Sequence, residues 1–216
     1  MIRRFAKSED GAAAVEMAIV STLLFTLTLG FVDFGYALYQ WNAATKAVQI
    51  GARLASISDP VVTNLTAAAP TTTPGAPVIA GAYGPFVCKY TGTTGACSNG
   101  GTFNATDFSR IFRGDTAVTN NDDCPDITAA QRATMRLGMC HFFPGLLRSN
   151  VVITYAATGL GYQTRLGGPV PTITVSLQNM TYQFFFLGGL MTRFTSLTMP
   201  SMLSTVTGED MKVSYP

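Results

Sequence analysis

The sequence predicts an α+β protein: a long N-terminal helix, transmembrane in its first half and amphipathic in its second, packed on a small antiparallel sheet domain with disulfides. Three observations predict it. Arg3, Arg4 and Lys7 precede an uncharged apolar run from Met17 to Val32, apolar residues then recur at helical spacing as far as Leu54, and β-rich stretches begin at Val151. The 216 residues suit one ordinary domain with an appendage, since domains usually run ~100–200 residues.

Composition narrows the function. Charged residues make up 12% and hydrophobic ones 47%, which departs from both disordered chains and ordinary cytosolic surfaces. The net charge is +2 and the basic residues are scattered, so a clustered phosphate-binding surface is missing and nucleic acid is not an expected partner. His141 is the single histidine, which leaves little for a Ser/His/Asp or Cys/His relay or a multi-histidine metal site. No catalytic residue, cofactor or metal is expected, and the chain does not read as an enzyme.

The Met17–Val32 run, with Leu23, Leu24, Phe25, Leu27 and Leu29, rises ~24 Å as a helix. Ala12–Val15 before it and Phe34, Tyr36, Tyr39 and Trp41 after it extend the span toward the ~30 Å hydrocarbon thickness. Basic residues before the run, with none after it until Lys46, favour a cytoplasmic N-terminus. A cleaved secretory signal shares the basic and apolar regions. Against it stand Glu16 at the start of the run, Asp33 at its end, and no small-x-small site soon after Val32. The helical pattern also continues, through Phe34, Leu38, Trp41, Ala44, Val48, Gly51 and Leu54. With no proline before Pro60, one helix is expected from about Ala12 to Ala55, ~65 Å long.

Glu16 calls for a partner, because a carboxylate near hydrocarbon costs about 3 kcal/mol on insertion scales. Cleavage after Gly11 would leave Glu16 as the fifth residue and free an amine at Ala12 to pair with it, in the same chain or a neighbouring subunit. The plainer alternative is a hydrated interfacial carboxylate offset by the helix N-terminus.

The segments Arg4-Phe5, Gly11-Ala12-Ala13-Ala14-Val15-Glu16-Met17-Ala18-Ile19-Val20, Gly30-Phe31-Val32-Asp33-Phe34-Gly35-Tyr36-Ala37-Leu38-Tyr39 and Gly51-Ala52-Arg53 resemble TadE-like proteins of the tight-adherence (Flp) type IV pilus system. The resemblance is strong over about residues 3–55 and generic beyond, where a strand-rich tail ending Thr207-Gly208-Glu209 is similar to the family's ending. It implies a pseudopilin, or minor pilin, cut by a prepilin peptidase between Gly11 and Ala12, with Glu16 as an assembly residue. The implied partners are other pilin subunits, the pilus assembly platform and the inner membrane. The implied location is the bacterial inner membrane, single-pass, with an extracytoplasmic C-terminal domain and incorporation into a surface pilus for assembly or adhesion. The rival reading is a membrane-anchored extracytoplasmic adhesin or ligand-binding domain that enters no filament.

The expected organisation is a leader over 1–11, the helix over 12–55, Thr/Gly/Pro-rich linker and loops over 56–106, and a small α+β domain over 107–216. Lys89 is the only charge between Pro60 and Thr106. Cys88 and Cys97 bracket a Gly/Thr loop, and Cys124 and Cys140 bracket Pro125–Met139; neighbour pairing is favoured among three connectivities, with zinc as the competing use. Disulfides imply a compartment outside the cytosol. Thr128–Met135 favours a helix, and Asn120-Asn121-Asp122-Asp123 with Asp126 reads as a helix N-cap and solvated loop rather than a calcium site.

Val151–Tyr155 reads as a strand, and Ile173, Val175 and Leu177 alternate with Thr174 and Ser176. After Gln178-Asn179 the phase slips, so that Met180, Tyr182 and Phe184 are apolar, which predicts a bulge within the same strand. The apolar Phe184–Met191 run is too short for a second span, and Ser196–Val206 reads as a further strand.

Overall fold

The computed structural model describes residues 9–116, 119, 121–164, 168–186, 188 and 196–211. Arg3, Arg4, Phe5 and Lys7 lie outside these residues, as do Asn120, Leu187 and Gly189–Arg193.

Helix α1 runs from Glu9 to Ile57, 49 residues, or ~73 Å. It stops just before Pro60, whose ring disfavours helical backbone in the residue ahead of it. The helix contributes to two compact units. One comprises α1 up to Gln40 with the Thr181–Thr198 segment, and the other comprises Trp41–Met180 with the residues from Met199 onward.

The larger unit holds a five-stranded antiparallel sheet in the order β3-β2-β4-β6-β9. Its strands are β2 (Phe86–Thr91), β3 (Thr94–Cys97), β4 (Val151–Ala156), β6 (Thr172–Leu177) and β9 (Met202–Thr207), while β1 (Pro77–Val78) pairs separately with β5 (Gly161–Tyr162). The register aligns apolar residues into rows on one face. Phe86, Tyr155, Ile173 and Val206 form one row, and Cys88, Ile153 and Val175 form the next. These residues share a core with Ala44, Ala47, Val48, Ala52, Leu54 and Ala55 of α1, and with α2 (Ala105–Arg113) and α4 (Met139–Phe142) through Phe108, Ile111, Phe112 and Met139. Helix–core contact is close because the helix side chains are small; a Cβ on Gly51 would lie 2.5 Å from the Met139 sulfur.

In the smaller unit, β7 (Thr181–Gln183) pairs antiparallel with β8 (Ser196–Thr198). Tyr182 is buried there, and its ring lies 4.7 Å from that of Phe184 and 6.2 Å from that of Tyr36.

Four expectations need correction. The buried stripe of α1 starts at Ala44, since Phe34, Leu38 and Trp41 are exposed and the core is met by Ala44, Ala47, Val48, Ala52, Leu54 and Ala55. The stretch read as linker supplies β2 and β3, in which Phe86, Cys88 and Tyr90 alternate inward under the period of two that a strand imposes. Gln178-Asn179 is a break between two strands rather than a bulge within one: Asn179 has φ +55°, and β6 pairs with β9 before it while β7 pairs with β8 after it. Ser196–Val206 is two strands, divided where Pro200 removes a backbone donor.

Thr128 caps α3 (Ala129–Thr134) in a capping box with Gln131. The acidic run beside it serves another purpose. Asp122 pairs with buried Arg148 at 3.1 Å, and buried Arg113 donates to the Asn121 carbonyl and side-chain oxygens. Burial, and then Arg148, lower the Arg113 pKa.

Gly114 and Gly138 mark a tight backbone approach in the larger unit. Gly114 bridges Leu137, and the Asp115 carboxylate accepts from the Arg136 amide and guanidinium at 2.9–3.1 Å, which holds Asp115 below the usual carboxylate range. Gly114 has φ +72°, and a Cβ there would lie 1.9 Å from the Arg136 carbonyl oxygen. Gly114→Ala is expected to destabilise the larger unit by about 3 kcal/mol, through strain and a backbone clash together. Gly145→Ala, with φ +82° and open space, should cost only about 1 kcal/mol. Urea titration of the detergent-solubilised protein by circular dichroism measures both; equal losses would remove the clash argument.

Candidate functional site

The candidate site is the first half of α1. Among the described residues it lies in the one helix long and apolar enough to cross a membrane. Met17, Leu23, Leu24, Phe25, Leu27 and Val32 are exposed, while Leu29 is half-buried. A surface of this kind is unfavourable in water and favourable in hydrocarbon. The helix also satisfies its own hydroxyls, since Thr22 and Thr26 donate to the Ala18 and Thr22 carbonyls at 2.7 and 2.8 Å, and Thr28 to that of Leu24 at 3.0 Å. Backbone acceptance of this type suits a hydroxyl removed from water.

Gly11 is half-buried, and Ala12 and Glu16 are exposed on the first helical turns. Ala12 and Glu16 are four residues apart in sequence and so share a helix face. Exposure of both leaves this end of α1 accessible to another molecule.

Asp33 behaves differently. It is the only charged residue between Glu16 and Lys46, and it is fully buried. Its carboxylate accepts from the Phe185 amide at 3.1 Å and the Phe186 amide at 3.1 and 3.4 Å, and its own carbonyl accepts from the Tyr182 hydroxyl at 2.7 Å. Rings pack around this clamp, with Tyr36 5.1 Å from Phe185 and Phe34 6.3 Å from Phe184. Sequence reading took Asp33 only as the end of the apolar run. Its isolation among apolar residues was a signal for an internal partner, but nothing local pointed to residues some 150 positions away.

The structure joins Cys88 to Cys97 directly across β2 and β3, with Cα atoms 4.0 Å apart, and Cys124 to Cys140, 5.8 Å apart. His141 lies beside the second pair, its Nε2 3.1 Å from the Pro125 carbonyl. Cys124, Cys140 and His141 converge within 4.8 Å, but the bonded sulfurs offer no thiolate to a metal.

Asp33→Ala removes the acceptor for the Phe185 and Phe186 amides. Loss of hydrogen bonds to a charged group is expected to weaken local closure by about 2 kcal/mol, speeding hydrogen exchange at those amides by roughly 30-fold. Exchange followed by mass spectrometry in detergent checks this, and Asp33→Asn should fall between the two. Unchanged exchange in Asp33→Ala would show that the clamp contributes nothing.

No curated protein and no solved structure matches the chain. Residues 11–53 match the family model described as TadE-like protein. That match begins at Gly11, includes Glu16, the exposed apolar surface and Asp33, and ends among the small residues that α1 buries. Over residues 11–53, about a fifth of its length, the chain is similar to TadE-like proteins.

Proposed function

We propose that the protein is a pilin-like minor subunit, a pseudopilin, that waits in the bacterial inner membrane and takes part in tight-adherence pilus assembly or adhesion. The observation that carries this reading is the TadE-like match on a helix whose first half is apolar and exposed. Residues 1–11 act as a cytoplasmic leader, a prepilin peptidase cuts between Gly11 and Ala12, and residues 12–55 form the anchor and packing helix. The remainder lies outside the cytosol, in keeping with its two disulfides.

On this reading Glu16 sets register during assembly. A carboxylate at the edge of hydrocarbon is best stabilised by a cation, and the freed Ala12 amine of the same chain or a neighbouring pilin supplies one. The role is structural and needs no cofactor.

Two measurements test the proposal. Intact mass and N-terminal sequence, taken from membranes and from sheared surface filaments with and without the peptidase, should give a peptidase-dependent start at Ala12 and material in the filament fraction. An uncut chain confined to membranes would instead support an anchored adhesin or ligand-binding domain. Glu16→Ala should leave membrane insertion intact while sharply lowering the amount in sheared filaments; undiminished incorporation would remove Glu16 from assembly.

A further inference from the structure

The Cys124–Cys140 disulfide differs from its counterpart in access and in neighbours. Cys124 is exposed while Cys140 is only 3% exposed, and both line an open groove of about 440 Å³ together with His141. Cys88 is fully buried, and its bond to half-buried Cys97 lies across β2 and β3. His141 is the single histidine, so an imidazole serves one pair alone.

The hydrogen bonds of His141 place its proton. Nε2 lies 3.1 Å from the Pro125 carbonyl, which can only accept, so Nε2 carries hydrogen. Nδ1 is then the basic ring nitrogen, and it faces the Cys140 sulfur at 3.7 Å. A thiolate formed at Cys140 meets Nδ1 directly and is stabilised when that nitrogen is protonated. The Cys124 end has the opposite setting. Asp122 and Asp123 precede it in sequence, and negative charge close by disfavours a thiolate there. Asp126 and Arg132, the charged side chains along the groove, are opposite in sign and so offset one another.

We infer that Cys124–Cys140 is a thiol–disulfide exchange site, at which an external dithiol bonds to the Cys124 sulfur and expels Cys140 as a thiolate held by His141. This goes beyond the pilin reading and depends on neither the membrane span nor processing. The first thiolate of the dithiol forms a bond to the Cys124 sulfur as the Cys124–Cys140 bond breaks, and the electron pair of that bond goes to Cys140. Nδ1 takes a proton from water and holds it against the new thiolate. The second thiolate of the dithiol then attacks its own partner sulfur in the mixed disulfide, and Cys124 leaves. The dithiol is oxidised to a disulfide, the protein pair is reduced, and the two protons the dithiol gave up end on the two cysteines. Exchange unties the loop of Asp122, which pairs with Arg148, from α4, whose Met139 rests against Gly51 of α1.

The test uses the full chain in detergent at neutral pH, with dithiothreitol as the dithiol, timed trapping by iodoacetamide and peptide mass mapping. Cys124 and Cys140 should open at least about ten-fold faster than Cys88 and Cys97. Equal opening of the two disulfides would overturn the inference without any variant having to fold. Glutathione in place of dithiothreitol should leave its adduct on Cys124, and an adduct on Cys140 would overturn the direction of attack. His141→Gln keeps a donor for the Pro125 carbonyl; it should slow opening of this pair by about ten-fold and leave Cys88–Cys97 unchanged. With Cys124→Ser, the Cys140 thiol should alkylate with a pH midpoint below the ~8.5 of a free cysteine, and adding His141→Gln should return it toward that value. A midpoint indifferent to His141 would overturn the role of the imidazole as holder of the thiolate.

Discussion

Side-chain size along α1 is the constraint from which the rest of the structure follows: large apolar residues face outward as far as Trp41, and from Ala44 the inward face is mostly alanine, with Val48 and Leu54 between. A helix can approach a sheet closely only where its side chains are short, and Ala44, Ala47, Gly51, Ala52 and Ala55 provide that stretch. Larger residues on the sheet, such as Tyr155 and Ile173, belong to the same core as these alanines. The sheet register thus suits this helix face, because a slip of one residue on β4 or β6 would send Ile153 and Val175 to the opposite side.

Much of this was legible in the sequence where the signal was local. The apolar run and the absence of proline before Pro60 foretold α1, and alternation foretold β4 and β6. β2 was hidden because Lys89, Thr91 and Gly92 give it the composition of a loop, although Phe86, Cys88 and Tyr90 carry the alternating period. The break at Asn179 resembled a bulge because both interrupt the alternation along a strand. Partner choice is a long-range property, and so periodicity alone could not place β7 with β8 and β9 with β6. Asp33 shows the same limit at the site: its charge was plain, while its amide donors lie far along the chain.

A second set of buried charges organises the region around the Cys124–Cys140 disulfide. Arg113 and Arg148 are both buried, and two guanidiniums near one another repel. Asp122, the Asn121 oxygens and the Tyr90 ring, 4.4 Å from the Arg148 guanidinium carbon, offset that repulsion. Cys124 follows these residues directly and is bonded to Cys140 of α4, whose neighbour Met139 rests on Gly51 of α1. The acidic loop is thereby tied to the helix-packing core. A disulfide closing a loop of this length stabilises by ~2–4 kcal/mol when unstrained, chiefly by limiting the unfolded chain.

The two carboxylates at either end of the apolar run meet the same cost in different ways. Asp33 is met within the chain, the Phe185 and Phe186 amides being among its donors. It therefore has little left to offer a neighbour. Glu16 is exposed on an exposed helical face, so its stabilisation must come from water or from another group brought to it. Were both carboxylates merely marking the edges of the membrane, both would be expected to face water. The burial of one and the exposure of the other separate their duties: Asp33 fixes the fold of the anchor, and Glu16 is the group free to respond to processing and to a neighbouring subunit on the proposed reading.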